Sequence, residues 1–251
     1  MHPVLISFGR LKVYSWGFML AVAVIAAIFG LQKMFKEEGY DPDSVIDLVI
    51  ILVVTGVLGS RLAYIVLYQW PEFISNPWAV LSFANGGFSG LVWYGAFLLT
   101  VPLFIWFVRR KGYGMWKVLD MLAPYVALGY AIVRIGCFLN GCCYGEITNS
   151  PLGVVFPAVD DFIRYPTQLF SSALNFILFV VLIFYYPRRK FSGQIFVLYL
   201  MGYSIYRFMV EYFRESLINF GPFTMGQVVT AGLFVIAWFL YNWRKKQFSE
   251  K

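Results

Sequence analysis

Three arginines stand inside long apolar runs of this chain: Arg61 in "GSRLAY", Arg134 in "VRIGCFLNGCCYG" (Val133–Gly145) and Arg207 in "YRFMVEYFRE". A guanidinium in an apolar setting calls for an anion, and its planar fork matches the paired oxygens of a carboxylate or a phosphate. Arg207 has Glu211 four residues on, the spacing of an ion pair along one helix face. Arg61 has no acidic residue near it in sequence, and the run that carries Arg134 offers only Asp120, about four helical turns away. A carboxylate therefore accounts for part of this charge, and a phosphate is the anion expected for the rest.

Other chemistries are excluded by what the chain lacks. Its single histidine is His2, so no Ser-His-Asp triad can form within the apolar segments. HExxH and the phosphate-binding P-loop are absent, and the last apolar segment holds no lysine for a Schiff base. Cys137, Cys142 and Cys143 are spaced i, i+5, i+6 with no histidine beside them, a weak metal pattern. They are expected to be small residues at a tightly packed corner, with no metal, no cofactor and no disulfide framework.

The elements that must position these arginines are membrane spans. The 251 residues are 60% hydrophobic and 13% charged, about half the charge of a soluble domain. The mean hydropathy is +0.71. Seven apolar segments are long enough to be transmembrane helices, at about 14–34, 45–68, 88–108, 118–139, 167–186, 193–212 and 225–243. None alternates as barrel strands do. The fold class is therefore all-α, one integral-membrane domain over residues 1–251. The opening "MHPVLISFGR" leads directly into an apolar segment, so the first span is expected to remain in place.

Charge orients the spans. Thirteen of the twenty basic residues fall in the loops after segments 1, 3, 5 and 7, against four (Arg10, Lys12, Arg164 and Arg214) on the opposite side. The positive-inside rule then predicts an external N-terminus and a cytoplasmic C-terminus. The basic pI near 9.3 reflects that distribution and not nucleic-acid binding. Arg134 and Arg207 lie toward the outer ends of their spans, beside the long 140–166 loop and the small-residue stretch "SFANGGFSG". Together they predict an outward-facing pocket for an anionic lipid headgroup. A transferase, a lipid transporter and a non-catalytic lipid-binding protein all fit such a pocket. Transporters usually carry paired repeats, and none is visible in this sequence.

The same residues carry a resemblance to the bacterial prolipoprotein diacylglyceryl transferases. "VRIGCFLNGCCYG" resembles the family signature, and the likeness extends through "YSWGFML", "GSRLAYIVLYQWPEFISNP", "GGFSGLVWYGAFLL", "RYPTQLF", "GYSIYRFMVEYFRE" and "TMGQ". It implies that Arg134 holds the headgroup of phosphatidylglycerol and that Arg207 is a second essential arginine, with Tyr203 one turn before it. Asn140, Gly141, Gly145, Arg61 and Glu211 match further positions of the donor site. Departures mark a divergent, double-cysteine branch. Val133 stands for the signature glycine, Cys137 for an asparagine, Cys142 for a glutamate, and Tyr94 for a histidine often taken as the general base. Trp16 stands near a family tyrosine. The implied reaction moves the diacylglyceryl group from phosphatidylglycerol to the lipobox cysteine of a preprolipoprotein in the bacterial cytoplasmic (inner) membrane, giving a thioether and glycerol phosphate. A paralogue with another acceptor is compatible with the same residues.

Overall fold

The structure is a computed structural model and describes residues 1–8, 11–78, 92–214 and 219–249. Arg10 and the "SFANGGFSG" stretch lie outside the described residues, as does the beginning of the third predicted span.

The chain is mostly helical. A hairpin of β1 (Val4–Phe8) and β2 (Leu11–Tyr14) leads into α1 (Ser15–Glu37), α2 (Ser44–Tyr68) and the short α3 (Trp70–Ser75). Then come α4 (Trp93–Arg110) and α5 (Met115–Asn140). The strands β3 (Val154–Val155) and β4 (Ile163–Arg164) pair within the following loop. α6 (Thr167–Tyr185) continues as a 3-10 turn, Tyr186–Arg188, and α7 is Gln194–Glu211. A two-residue hairpin, β5 (Asn219–Phe220) and β6 (Phe223–Thr224), precedes α8 (Met225–Ser249).

Among the described residues, each of the seven predicted spans holds a helix. Five of these helices are long and apolar enough to cross a membrane; α4 and α7 are shorter, at 18 residues each. Several helices overrun the predicted segments at their basic ends: α1 runs to Glu37, α8 to Ser249, and α5 begins at Met115. Hydropathy marks only the part that lipid would cover. Lys, Arg, Glu and Gln are good helix formers, so the helix continues past that part. The three small hairpins and α3 were not anticipated from the apolar runs.

The distribution of side chains is that of a protein surrounded by lipid. Large apolar residues such as Phe29, Phe184, Ile236 and Phe239 are more than 60% exposed. Gln168, Asn175, Gln194 and Gln227 are no more than 1% exposed. A soluble domain has the reverse gradient.

Two compact units make up the chain, residues 1–34 with 116–251, and residues 35–115. In the first, the N-terminal hairpin is tied to the end of α5: the His2 amide donates to the Leu139 carbonyl at 2.9 Å, and the Ser15 hydroxyl donates to the His2 carbonyl. The start of α1 and the end of α5 therefore lie side by side. At the opposite end of α5, Asp120 caps α7. Its carboxylate, fully buried, accepts from the amides of Gly193 at 2.7 Å and Phe196 at 2.9 Å, and Arg189 lies 4.0 Å away. Asp120 thereby satisfies amides that a helix start leaves unpaired.

The second unit is built on the α2–α4 pair. Gly59 and Gly95 let the two backbones touch: a Cβ on either would run into the other's carbonyl. Small residues are the usual means of close helix approach in a bilayer. The Thr55 and Thr100 hydroxyls share a hydrogen bond of 2.9 Å across the same pair. Tyr40 and Tyr113 stack at one end of this unit with Phe35 edge-on to both, and Tyr113 donates to the Ser44 hydroxyl at 3.0 Å.

Candidate active site

Arg134 lies near the end of α5, one turn after Tyr130. Its guanidinium rests over the Tyr130 ring, 4.6 Å from the centroid, and donates to the Tyr130 hydroxyl. Tyr130 packs edge-on against Tyr203 and Tyr206 of α7, with ring centroids 6.3 and 6.4 Å apart. Tyr203 sits one turn before Arg207, so a wall of tyrosines joins the two arginine-bearing helices.

Arg207 pairs with Glu211, whose carboxylate also lies 3.9 Å from Arg214. Glu211 is 7% exposed. Gly226, in the first turn of α8, makes room for it, since a Cβ there would meet the carboxylate. The negative charge thus rests against a helix N-terminus, which favours it. Burial, and then the charges of Arg207 and Arg134, push the Arg214 pKa below its ordinary value, with Glu211 opposing. Three guanidiniums therefore share one neighbourhood. Among the described residues, one carboxylate pairs there and none pairs with Arg134.

The signature turn fixes the end of α5. Gly141, at a φ of +75°, ends the helix after Asn140. Its amide donates to the Phe138 carbonyl and that of Cys142 to the Cys137 carbonyl, both at 3.1 Å. This is the paired capping pattern that a left-handed residue permits. From the start of α6, the Thr167 hydroxyl donates to the Cys143 carbonyl at 2.9 Å and the Gln168 amide to the Cys142 carbonyl at 2.7 Å. "RYPTQLF" therefore holds the cysteine backbone beside Arg134. Hydrogen bonds from Cys137 and Cys142, then the Arg134 and Arg214 charges, push the Cys143 thiol below its ordinary range, burial opposing.

Gly145 lies where two backbones cross. Its amide donates to the Tyr165 carbonyl at 2.8 Å, and that of Glu146 to the Phe213 carbonyl at 3.0 Å. A Cβ at Gly145 would run into the Phe213 carbonyl oxygen. Arg164 braces the loop, with Nη2 2.6 Å from the Asp160 carboxylate and the guanidinium 5.0 Å from the centre of the Tyr144 ring. Between α7 and α8 lies an open apolar groove of about 370 Å³, lined by Phe208, Phe234 and Val235 among others.

Comparison with known proteins gives the family. The sequence matches the model of the prolipoprotein diacylglyceryl transferase family over residues 3–243. The chain belongs to that family. It is 34% identical over 247 residues to a phosphatidylglycerol–prolipoprotein diacylglyceryl transferase of Clostridium tetani, covering 96% of this chain and 97% of the relative. A Legionella pneumophila protein of the same name is 35% identical, with 98% of each chain covered. A Clostridium perfringens protein named phosphatidylglycerol–prolipoprotein diacylglyceryl transferase 2 is 34% identical, covering 98% of this chain and 96% of its own.

Within this family member, Arg134, Arg207, Tyr203, Glu211, Asn140, Gly141 and Gly145 all fall in the first unit, at one end of it. Arg61 and Tyr94 belong to the second. Tyr94, in the first turn of α4, is 71% exposed. It adjoins Gly95 of the helix crossing, and Arg61 follows Gly59 by two residues, with its guanidinium 5.5 Å from the Tyr64 ring centre. The sequence reading passed over Arg214 and Tyr130. Both were findable by helical spacing: Tyr130 is i−4 to Arg134, and Arg214 is i+3 to Glu211 and i+7 to Arg207.

Proposed function

We propose that this chain transfers the diacylglyceryl group of phosphatidylglycerol to the lipobox cysteine of a preprolipoprotein, in the cytoplasmic membrane of a bacterium. The observation that carries the reading is the charge at one end of the first unit: among the described residues, Arg207 and Arg214 share one buried carboxylate, Glu211, and no carboxylate pairs with Arg134. Phosphatidylglycerol is a phosphodiester with one negative charge. The acceptor thiolate attacks the glyceryl carbon, a carbon–sulfur bond forms, and the carbon–oxygen bond to phosphate breaks. Its electron pair leaves with glycerol phosphate, a monoester that carries a second negative charge. Arg134 and Arg207 bind the phosphate, and Arg214 adds to a field that strengthens its hold as that charge develops. Stabilisation present mainly in the transition state is what raises kcat. Asn140, Gly141 and Gly145 shape the wall of the donor site, Tyr203 lines it and Glu211 orients Arg207; Arg61 is assigned to donor binding on the family resemblance alone. The apolar groove beside Phe208 takes an acyl chain.

The product tests this reading. Phosphatidylglycerol and a lipobox peptide should yield one glycerol phosphate per peptide modified, and the added mass should be a whole diacylglyceryl unit. Neutral hydroxylamine, which cleaves thioesters, should leave the linkage intact. A gain of one acyl chain with release of lysophospholipid would show that the wrong bond has been assigned.

Tyr94 replaces the histidine of the resembled pattern. A phenol oxygen still holds its proton and lacks the free basic nitrogen of an imidazole, so we assign Tyr94 to orienting the acceptor thiol. Tyr94→Phe should then leave a reduced rate that climbs with pH as the peptide thiol, pKa about 8.5, ionises unaided. A flat loss across all pH values would make Tyr94 the base, and an unchanged profile would remove it from the site.

The proposed topology has seven spans, N-terminus outside and C-terminus in the cytoplasm, supported by thirteen basic residues in one set of loops against four in the other. The pairing of His2 with Leu139 agrees with it, since it brings the start of span 1 and the end of span 4 to the same side. A C-terminal reporter should be active only in its cytoplasmic form; activity of a periplasm-dependent reporter there would overturn the arrangement.

A further inference from the structure

We propose that Cys137, Cys142 and Cys143 form a three-coordinate site for one thiophilic d10 ion, with Cu(I) the ion it fits. The coupling of this site to catalysis rests on the donor-phosphate reading above; the site itself does not. The three sulfurs lie within 4.8 Å of one another, and all three thiols are free. A trigonal set of metal–sulfur bonds of about 2.3 Å places sulfurs about 4 Å apart, so the cluster has to contract by no more than about an ångström. Spacing in sequence concealed this. Cys137 is buried in the last turn of α5, and the capping turn then reverses the chain. Cys143 adopts a φ of +64°, the left-handed conformation that a non-glycine residue seldom takes. Gln168 and Thr167 hold the carbonyls of Cys142 and Cys143 in that turn. The thiols are thereby gathered by backbone fixed from two helices, and exposed Cys143 gives an ion its way in.

The donor set selects the ion. It is purely sulfur, and thiolates favour Cu(I) and Zn(II) over hard cations. Zn(II) wants a fourth ligand; among the described residues, no further histidine, cysteine, aspartate or glutamate joins the group. Cu(I) is content with three. Two of the thiols also stand where the family signature resembled here has an asparagine and a glutamate, so oxygen-bearing side chains have been exchanged for sulfur. Three thiolates on a monovalent ion make an anionic complex. Arg134 precedes Cys137 by one helical turn on α5, and Arg214 follows Phe213, whose carbonyl accepts from the Glu146 amide just past the cysteine turn. The loaded site and the donor phosphate therefore compete for the same positive field.

The test uses the purified, reduced, full-length protein in detergent, without oxygen, titrated with Cu(I) against a chromophoric Cu(I) chelator. One equivalent should be retained, with an X-ray absorption signature of three Cu–S bonds and no nitrogen or oxygen ligand. Cys142→Ala alone, and the triple Cys137→Ala, Cys142→Ala, Cys143→Ala protein, should each lower affinity at least a hundredfold while keeping measurable transferase activity without copper. Loading should raise the Kd for a short-chain phosphatidylglycerol at least tenfold, measured with no acceptor peptide present so that no other thiol competes for the ion. Retention of copper equal to that of the triple variant, nitrogen or oxygen ligation, or preference for Zn(II) over Cu(I) would overturn the site. Three-sulfur binding with unchanged donor Kd would overturn the coupling and leave the site standing. Full activity of an Arg134→Ala protein would instead overturn the donor-phosphate reading.

Discussion

Arg134→Ala is expected to lower kcat by about a thousandfold in a protein that still inserts and folds. Loss of one preorganised donor to a developing oxyanion typically costs two to three orders of magnitude, and Arg134 is the arginine of the cluster that no described carboxylate neutralises. Lysine should rescue it poorly. An ammonium is a point charge, and it cannot both lie over the Tyr130 ring and present a fork to two phosphate oxygens. Arg207→Ala should be as severe, but it also strips Glu211 of its main partner, and a buried carboxylate deprived of a cation costs several kcal/mol. The double change Arg207→Ala, Glu211→Gln separates the two effects: stability should return toward that of the unaltered protein while turnover stays lost. The measurements are glycerol phosphate release per folded molecule and thermal unfolding of the same preparations. Near-normal release from Arg134→Ala would end the phosphate assignment.

Why Arg134 could be singled out from sequence, and Arg214 could not, follows from what each side chain costs. A charge within an apolar run is expensive and so conspicuous. Arg214 follows the last turn of α7, where hydropathy gives no warning, and it was counted among the loop charges. The spans were legible for a similar reason, because lipid imposes long apolar runs that nothing else explains. The helix ends were less so, since Lys, Arg and Glu continue a helix once it leaves the apolar layer. Contacts made by absent atoms were the least legible. Gly59 and Gly95 were read within family-like motifs, yet their effect is to let α2 and α4 touch at the backbone. Asp120 was noted only as the distant carboxylate on the Arg134 helix, and it caps α7 instead. The cysteines were set aside on spacing, because i, i+5, i+6 says nothing of a left-handed residue at Cys143 that brings the sulfurs within 4.8 Å.

Gly145 is the position where the two kinds of reading give different experiments. As a lining residue of a donor site, it should accept alanine with a raised KM and an unchanged Tm, since one methyl group is the smallest intrusion available. As the crossing point of two backbones, it should not accept alanine at all. The new methyl would run into the Phe213 carbonyl oxygen, with Thr167 Cγ2 at 2.7 Å and Tyr165 Cβ at 2.9 Å. None of these is the flexible tip of a long side chain, so the backbone itself must move. Overpacking of this kind costs about 1–3 kcal/mol and more where backbone shifts, and Gly145→Ala is expected at or above the top of that range. Gly141→Ala provides the contrast. It keeps a φ of +75° but meets only Met1 Cγ, at 3.8 Å, so its cost is the conformational one of about 1 kcal/mol. Gly145→Ala should therefore lower Tm clearly more than Gly141→Ala. Its turnover per folded molecule should fall as well, because Phe213 precedes Arg214 and Thr167 holds the Cys143 carbonyl. A protein that melts like the parent and shows only a raised KM would leave Gly145 a lining residue of the donor site and remove it from the frame.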